Sequence, residues 1–255
     1  MNSSRFHSLS NAIAGFLVFV LPWGSLALAE GRDGSSGESA PPVAQGKPGE
    51  FKFPKGAKVT VISPLWSQLV AYALPEGFQG GPSSDATNPK NSSYIRETVL
   101  KGESITEWTQ MITVQGWKDK VANEQVAPQR FVEGLATMIK RDCSDSFAAA
   151  PLYSGKISDY DAFGAILSCG ASPVTGRKTS ETFLIVVVKG ERDLYSFQWA
   201  ERAMPSQTPI PIDLKKWRAR FDDLQPIKFC SIVKDEPAPY QSCTGAGAIQ
   251  RLTNP

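Results

Sequence analysis

The sequence predicts an α+β domain: an antiparallel sheet of about six strands with two main helices packed on it as a sandwich. Three observations predict this. Thr182-Phe183-Leu184-Ile185-Val186-Val187-Val188 is an unbroken apolar, largely β-branched run, as a strand covered on both faces requires. After a turn at residues 189–193, Tyr195, Phe197 and Trp199 alternate with Ser196 and Gln198, so the chain returns as the second strand of a hairpin. Two segments carry apolar residues at helical spacing: Phe131, Leu135, Met138 and Ile139 behind Pro128, and Leu214, Trp217, Phe221 and Leu224 behind Asp213. Proline suits a first helical position, and aspartate is a strong N-cap.

The chain opens on an export signal. Residues 1–8 carry Arg5 and no acid, residues 12–21 are apolar, Pro22 and Gly24 break the run, and Ala27-Leu28-Ala29 offers the small residues a signal peptidase accepts. Cleavage after Ala29 is expected, giving a periplasmic or secreted protein that begins at Glu30. The alternative is an uncleaved anchor, which the interruption at Pro22-Trp23-Gly24 opposes. No stable membrane insertion is expected after cleavage. Residues 30–50 are rich in Gly, Ser and Pro and read as a disordered linker, leaving residues 51–255 as one globular domain.

Within that domain, Val59–Ile62 and Gln68–Tyr72 are short and strand-like, and Leu74-Pro75-Glu76-Gly77-Phe78 is a turn closing a strand. Residues 79–92 read as a long polar loop. They lead into the Asn91-Ser92-Ser93 triplet, a glycosylation acceptor only in a eukaryotic host. Tyr94–Val99 and Trp108–Val114 form a hairpin joined through Gly102-Glu103-Ser104. The first helix follows from Pro128 to near Lys140, and Tyr160–Cys169 is another strand. In the last helix Lys215, Lys216, Arg218 and Arg220 are expected to face water, and a short tail holds the last cysteines.

Four cysteines, Cys143, Cys169, Cys230 and Cys243, all lie beyond the signal. An even number in an oxidising compartment reads as two disulfides. Of the three possible pairings, Cys143–Cys169 and Cys230–Cys243 are favoured because each closes a short loop. A metal site is disfavoured, because there is no C-x-x-C and no histidine to join the thiolates. No cofactor is implied. Beyond the signal, basic and acidic residues nearly balance, which excludes a nucleic-acid binder that works by bulk charge.

The sharpest functional fact is that the single histidine, His7, sits in the signal. Triads built on His, Cys–His pairs and His zinc sites are thereby excluded from the exported chain. Chemistry would fall to carboxylates, Lys, Tyr or a Ser–Lys pair. The carboxylates considered are Asp142 and Asp145 around Cys143, Asp159 and Asp161 around Tyr160, and the adjacent Asp222 and Asp223, the last two expected to be solvated. No D-x-D-x-D-G calcium loop is present. Trp108 and Trp117 are the candidate ligand platform, with a packing role beside the hairpin as the competing reading.

Leu74-Pro75-Glu76-Gly77-Phe78, then Gly102-Glu103-Ser104-Ile105-Thr106-Glu107-Trp108-Thr109-Gln110-Met111-Ile112-Thr113, then a cysteine after the helix resemble a group of small exported bacterial proteins of unknown function. The element order is also similar to the PsbP-like α/β sandwich, whose best-known members are accessory subunits. The resemblance implies a binding or accessory role and brings no catalytic residues with it. The expected function is therefore a non-enzymatic exported protein that binds an envelope protein or another envelope component. The alternatives are a histidine-free hydrolase using a carboxylate pair and a small-ligand carrier.

Overall fold

Two sheets, built from strands far apart in sequence, frame the molecule. The computed structural model describes residues 59–90, 92–171 and 179–244. The expected signal peptide, the linker, the start of order at Phe51 and Asn91 of the glycosylation triplet lie outside them. In chain order the elements are β1 (Val59–Leu65), β2 (Gln68–Leu74), a 3-10 turn (Glu76–Phe78), β3 (Ser83–Asn88), β4 (Ser93–Val99), β5 (Gln110–Trp117), α1 (Lys120–Glu124) and α2 (Pro128–Asp142). Then come β6 (Phe147–Ile157), β7 (Tyr160–Cys169), β8 (Ser180–Lys189), β9 (Leu194–Ala203), α3 (Leu214–Asp223), β10 (Lys228–Ser231) and α4 (Gln241–Thr244).

The larger sheet has seven strands in the order β3-β4-β5-β9-β8-β7-β6, antiparallel throughout. Its register separates two cores. Leu184, Val186 and Val188 stand opposite Trp199, Phe197 and Tyr195, and all six are at most 2% exposed. They pack with Val70, Tyr72 and Phe229 of the small sheet and with Trp217 and Phe221 of α3. Phe183, Ile185 and Val187 point the other way, into a core with Val121 of α1 and Val132, Phe131 and Leu135 of α2. The β8 run is covered on both sides because α2 lies on one face and the small sheet with α3 on the other.

The architecture is α+β with α2 and α3 as its two main helices, but the expectation of about six strands is too small. The described residues hold ten strands in two sheets and four α-helices. The strands expected near Val59 and Gln68 leave the main sheet and form a second one, in the order β1-β2-β10. β3 falls inside the segment read as a polar loop. All six of its residues are exposed, so no apolar alternation marks it, and its pairing with β4 makes it a strand. β6 is also an edge strand. Pro151 and the register break between Pro151 and Tyr153 obscure its period, and proline is tolerated there because an edge leaves backbone donors unused. β10 has only four residues and is defined by its pairing to β2.

Polar groups fix the end of the sandwich where the β1–β2 and β8–β9 turns meet. Asp193 is 1% exposed. Its carboxylate accepts from the Ser67 backbone N–H (2.9 Å), the Ser67 hydroxyl (2.6 Å), the Tyr195 hydroxyl (3.1 Å) and the Asp119 backbone N–H (2.6 Å). The first turn carries Trp66 at φ 56 and the next residue into α1, Asp119, is at φ 55, so one carboxylate holds two tightly turned segments together. Beside it, buried Gln68 donates to Tyr160 (3.0 Å) and accepts from the Glu191 N–H (3.0 Å).

The disulfides are Cys143–Cys169, joining the end of α2 to β7, and Cys230–Cys243, joining β10 to α4. This is the pairing favoured from sequence. The second bridge packs on Leu69 and Ala71 of β2, which secures the tail to the small sheet.

Candidate functional site

A cleft of about 390 Å³ lies between the turn after β2 and the C-terminal end of α3. Pro75, at φ −61 and ψ 151, precedes the 3-10 turn, which closes with the Phe78 N–H donating to the Pro75 carbonyl (2.9 Å). A Cβ on Gly77 would lie 3.0 Å from Leu100 Cδ2, so a side chain there would crowd the wall of the cleft. On the other side, the Ala73 N–H donates to the Leu224 carbonyl (3.1 Å), bringing the end of α3 against the end of β2.

Phe78 and Trp199 form the base, edge to face with centroids 5.2 Å apart. The Trp199 indole N–H donates to Gln110 Oε1 (3.0 Å), which orients that amide. The Arg220 guanidinium lies over Trp199, 4.2 Å from the ring centroid, and its Nη2 donates to Glu201 Oε1 (3.1 Å). Lys216 bonds the other Glu201 oxygen. Stacking and a carboxylate behind it thus hold one cation in place. Arg220 Nε and Nη1 and Gln110 Nε2 have no hydrogen-bond partner among the described residues. Glu76 and Asp223 line the rim; both are exposed, and neither side-chain carboxylate has an ion-pair or hydrogen-bond partner among the described residues. The cleft therefore combines fixed donors at its base, acceptors at its rim and an apolar wall of Leu74, Phe78 and Leu100.

Trp108 and Trp117 do not line this cleft. Trp117 is 6% exposed in the α2-side core, its ring 5.0 Å from Phe131. Trp108 packs half-buried against the same core, with the Arg202 guanidinium 3.6 Å above its ring. Arg202 also donates to Glu181 (3.2 Å). Burial raises the pKa of nearby Glu97, and the Arg202 charge opposes that shift. Among the other carboxylates, Asp142 pairs with Arg141 (3.3 Å), Asp145 accepts from Ser144 (3.2 Å), Asp161 lies 4.0 Å from Lys156, and Asp159 sits in the β6–β7 turn at φ 69. None of them lines the cleft.

Two expectations for α3 are corrected. Lys215, Lys216 and Arg218 are exposed as expected, although Lys216 bonds Glu201 and Arg218 donates to the Leu152 carbonyl, whereas Arg220 is half-buried and turns back to Glu201. Long side chains reach back across the apolar stripe to partners that a helical projection does not show. Leu214 is 50% exposed instead of facing the core, whereas Trp217 and Phe221 are buried. The predicted cap holds, with Asp213 accepting from the Lys216 N–H (3.0 Å).

No family model and no curated protein matches this chain. Among solved structures it is similar to the Saccharomyces cerevisiae Ran-binding protein Mog1p, with 11% identity over 67% of this chain and 86% of that one, at a TM-score of 0.34. It is also similar to LpqN of Mycobacterium tuberculosis, described as involved in cell envelope biogenesis, with 6% identity over 69% of this chain and 93% of that one, at a TM-score of 0.33.

Proposed function

We propose that this chain acts outside the cytoplasm as a non-enzymatic binding or accessory protein of the cell envelope, with the cleft beside the 75–79 turn as its working surface. One observation carries the reading: Arg220 and Gln110 are fixed from behind, by Glu201 and by Trp199, while their remaining donors have no partner among the described residues. Donors fixed before a ligand arrives lose little freedom on binding it, which favours recognition. Two disulfides and an export signal suit an oxidising compartment.

The hydrolase alternative finds its best pair in Glu76 and Asp223, which line one cleft. Both are exposed and share one kind of environment, whereas acid–base catalysis needs two carboxyls in unlike surroundings. Binding is the better supported reading.

The test is co-purification from the native envelope with three proteins: the wild type, Glu76→Arg and Asp223→Arg. A partner retained by the wild type and lost from both charge reversals is the expected outcome. Undiminished capture by both variants would remove the cleft from the proposal. Turnover of a substrate that either Glu76→Gln or Asp223→Asn abolishes would replace it with the hydrolase.

A further inference from the structure

We infer that the cleft takes a small zwitterion of the amino-acid class, bearing a free carboxylate, a free ammonium and an apolar side group. This deepens the binding reading and rests on it. The argument is one of complementarity. Arg220 and Gln110 line the same cleft, and a carboxylate is the ligand group that accepts both from the guanidinium edge left free by Glu201 and from an amide N–H; Arg220 is already oriented by Glu201 and Trp199. A simple cation would leave those donors unused.

A plain anion fails for the opposite reason. Glu201 is shared by Lys216 and Arg220, so that trio keeps one positive charge, which the two unpartnered carboxylates of Glu76 and Asp223 at the rim outweigh; they would repel a ligand of net negative charge. The same two carboxylates accept an ammonium. Leu74, Phe78 and Leu100 supply the apolar wall for a side group between the two ends. A volume of about 390 Å³ lies at the lower end for small-ligand sites and suits a free amino acid or a short peptide better than a bulky ligand.

Titration calorimetry on the exported chain tests this with four probes: leucine, leucyl-leucine, 4-methylpentanoate (leucine without its ammonium) and 3-methylbutylamine (leucine without its carboxylate). At least one of the first two binds, and each truncated analogue binds about tenfold more weakly or not at all, as expected for losing one charged hydrogen-bonding group. Arg220→Lys weakens the zwitterion about tenfold because it loses the forked geometry. Since Arg220 also braces α3, the paired test uses the exposed rim. The double variant Glu76→Gln/Asp223→Asn keeps the fold, weakens the zwitterion about tenfold and leaves 4-methylpentanoate unaffected or tighter. Leucine against leucyl-leucine separates a free amino acid from a peptide end. Binding of neither at millimolar concentration overturns the inference, and so does binding that is indifferent to the rim variant. If neither binds while the charge-reversed proteins still lose their envelope partner, this inference fails and the broader binding reading stands. If leucine binds but no cleft variant changes its affinity, the cleft itself is the wrong surface.

Discussion

Asp193 offers the most demanding test of how this fold is held. Replacing it with alanine removes the common acceptor of four donors from Ser67, Asp119 and Tyr195. The Tyr195 hydroxyl retains the Leu65 carbonyl at 3.1 Å, and the Ser67 hydroxyl can rotate, so the main loss falls on two backbone N–H groups. Each unsatisfied buried donor costs about 1–3 kcal/mol, and two such N–H groups are left. A destabilisation of about 2–6 kcal/mol is therefore expected for Asp193→Ala, or roughly 4–24 °C in Tm for a domain of this size. Asp193→Asn should cost about half as much, because one oxygen can keep the Ser67 and Tyr195 bonds while the new amide meets the Asp119 N–H as a second donor. The assay is urea unfolding with disulfides intact, comparing midpoints at unchanged slope. A loss below about 1 kcal/mol for the alanine variant would refute the claim that this carboxylate ties the turns together.

Four further outcomes follow from the same geometry. Ile185→Ala and Val186→Ala, on opposite faces of β8 and both fully buried, should each cost about 1–4 kcal/mol in the same assay; a neutral result for either would mean that its face is not packed. Thiol titration in denaturant should find no free cysteine in exported protein. By chain entropy, bridges spanning 26 and 13 residues should contribute about 3.5 and 3 kcal/mol. Hydrogen bonding from Arg96, with Tyr94, holds Asp85 below the usual carboxylate range, so its contribution is complete above the unfolded value, about 3.9, and is lost as pH falls through the lower folded value. Tm measured from pH 6 to 2 should then fall less steeply in Asp85→Asn, and parallel curves would count against the pairing. N-terminal sequencing of exported material should begin at Glu30, and a start at Met1 on membrane-bound protein would defeat the expected cleavage.

Several features were legible in the residues because they are local. The β8 run, the alternating aromatics of β9, Pro128 at the head of α2 and the Asp213 cap each state their structure within one or two turns of chain. The disulfide pairing was legible for a related reason: both bridges join cysteines close in sequence, separated by 26 and 13 positions. The absence of histidine after His7 removed whole classes of chemistry without any structure.

Tertiary structure decided what depends on a neighbour. β3 and β10 become strands through their partners, β4 and β2, and their own residues carry too little alternation to announce it. The separation of β1 and β2 into a second sheet rests on β10, more than 150 residues further along the chain. The same holds for the cleft. Its turn and Gln110 fall in segments that stand out in the sequence, but Trp199, Arg220 and Asp223 join them only because β2 docks on the end of α3. Periodicity records which side of an element is buried. Which side chains converge on one cavity is set by packing between distant elements, and a linear spacing carries no trace of it.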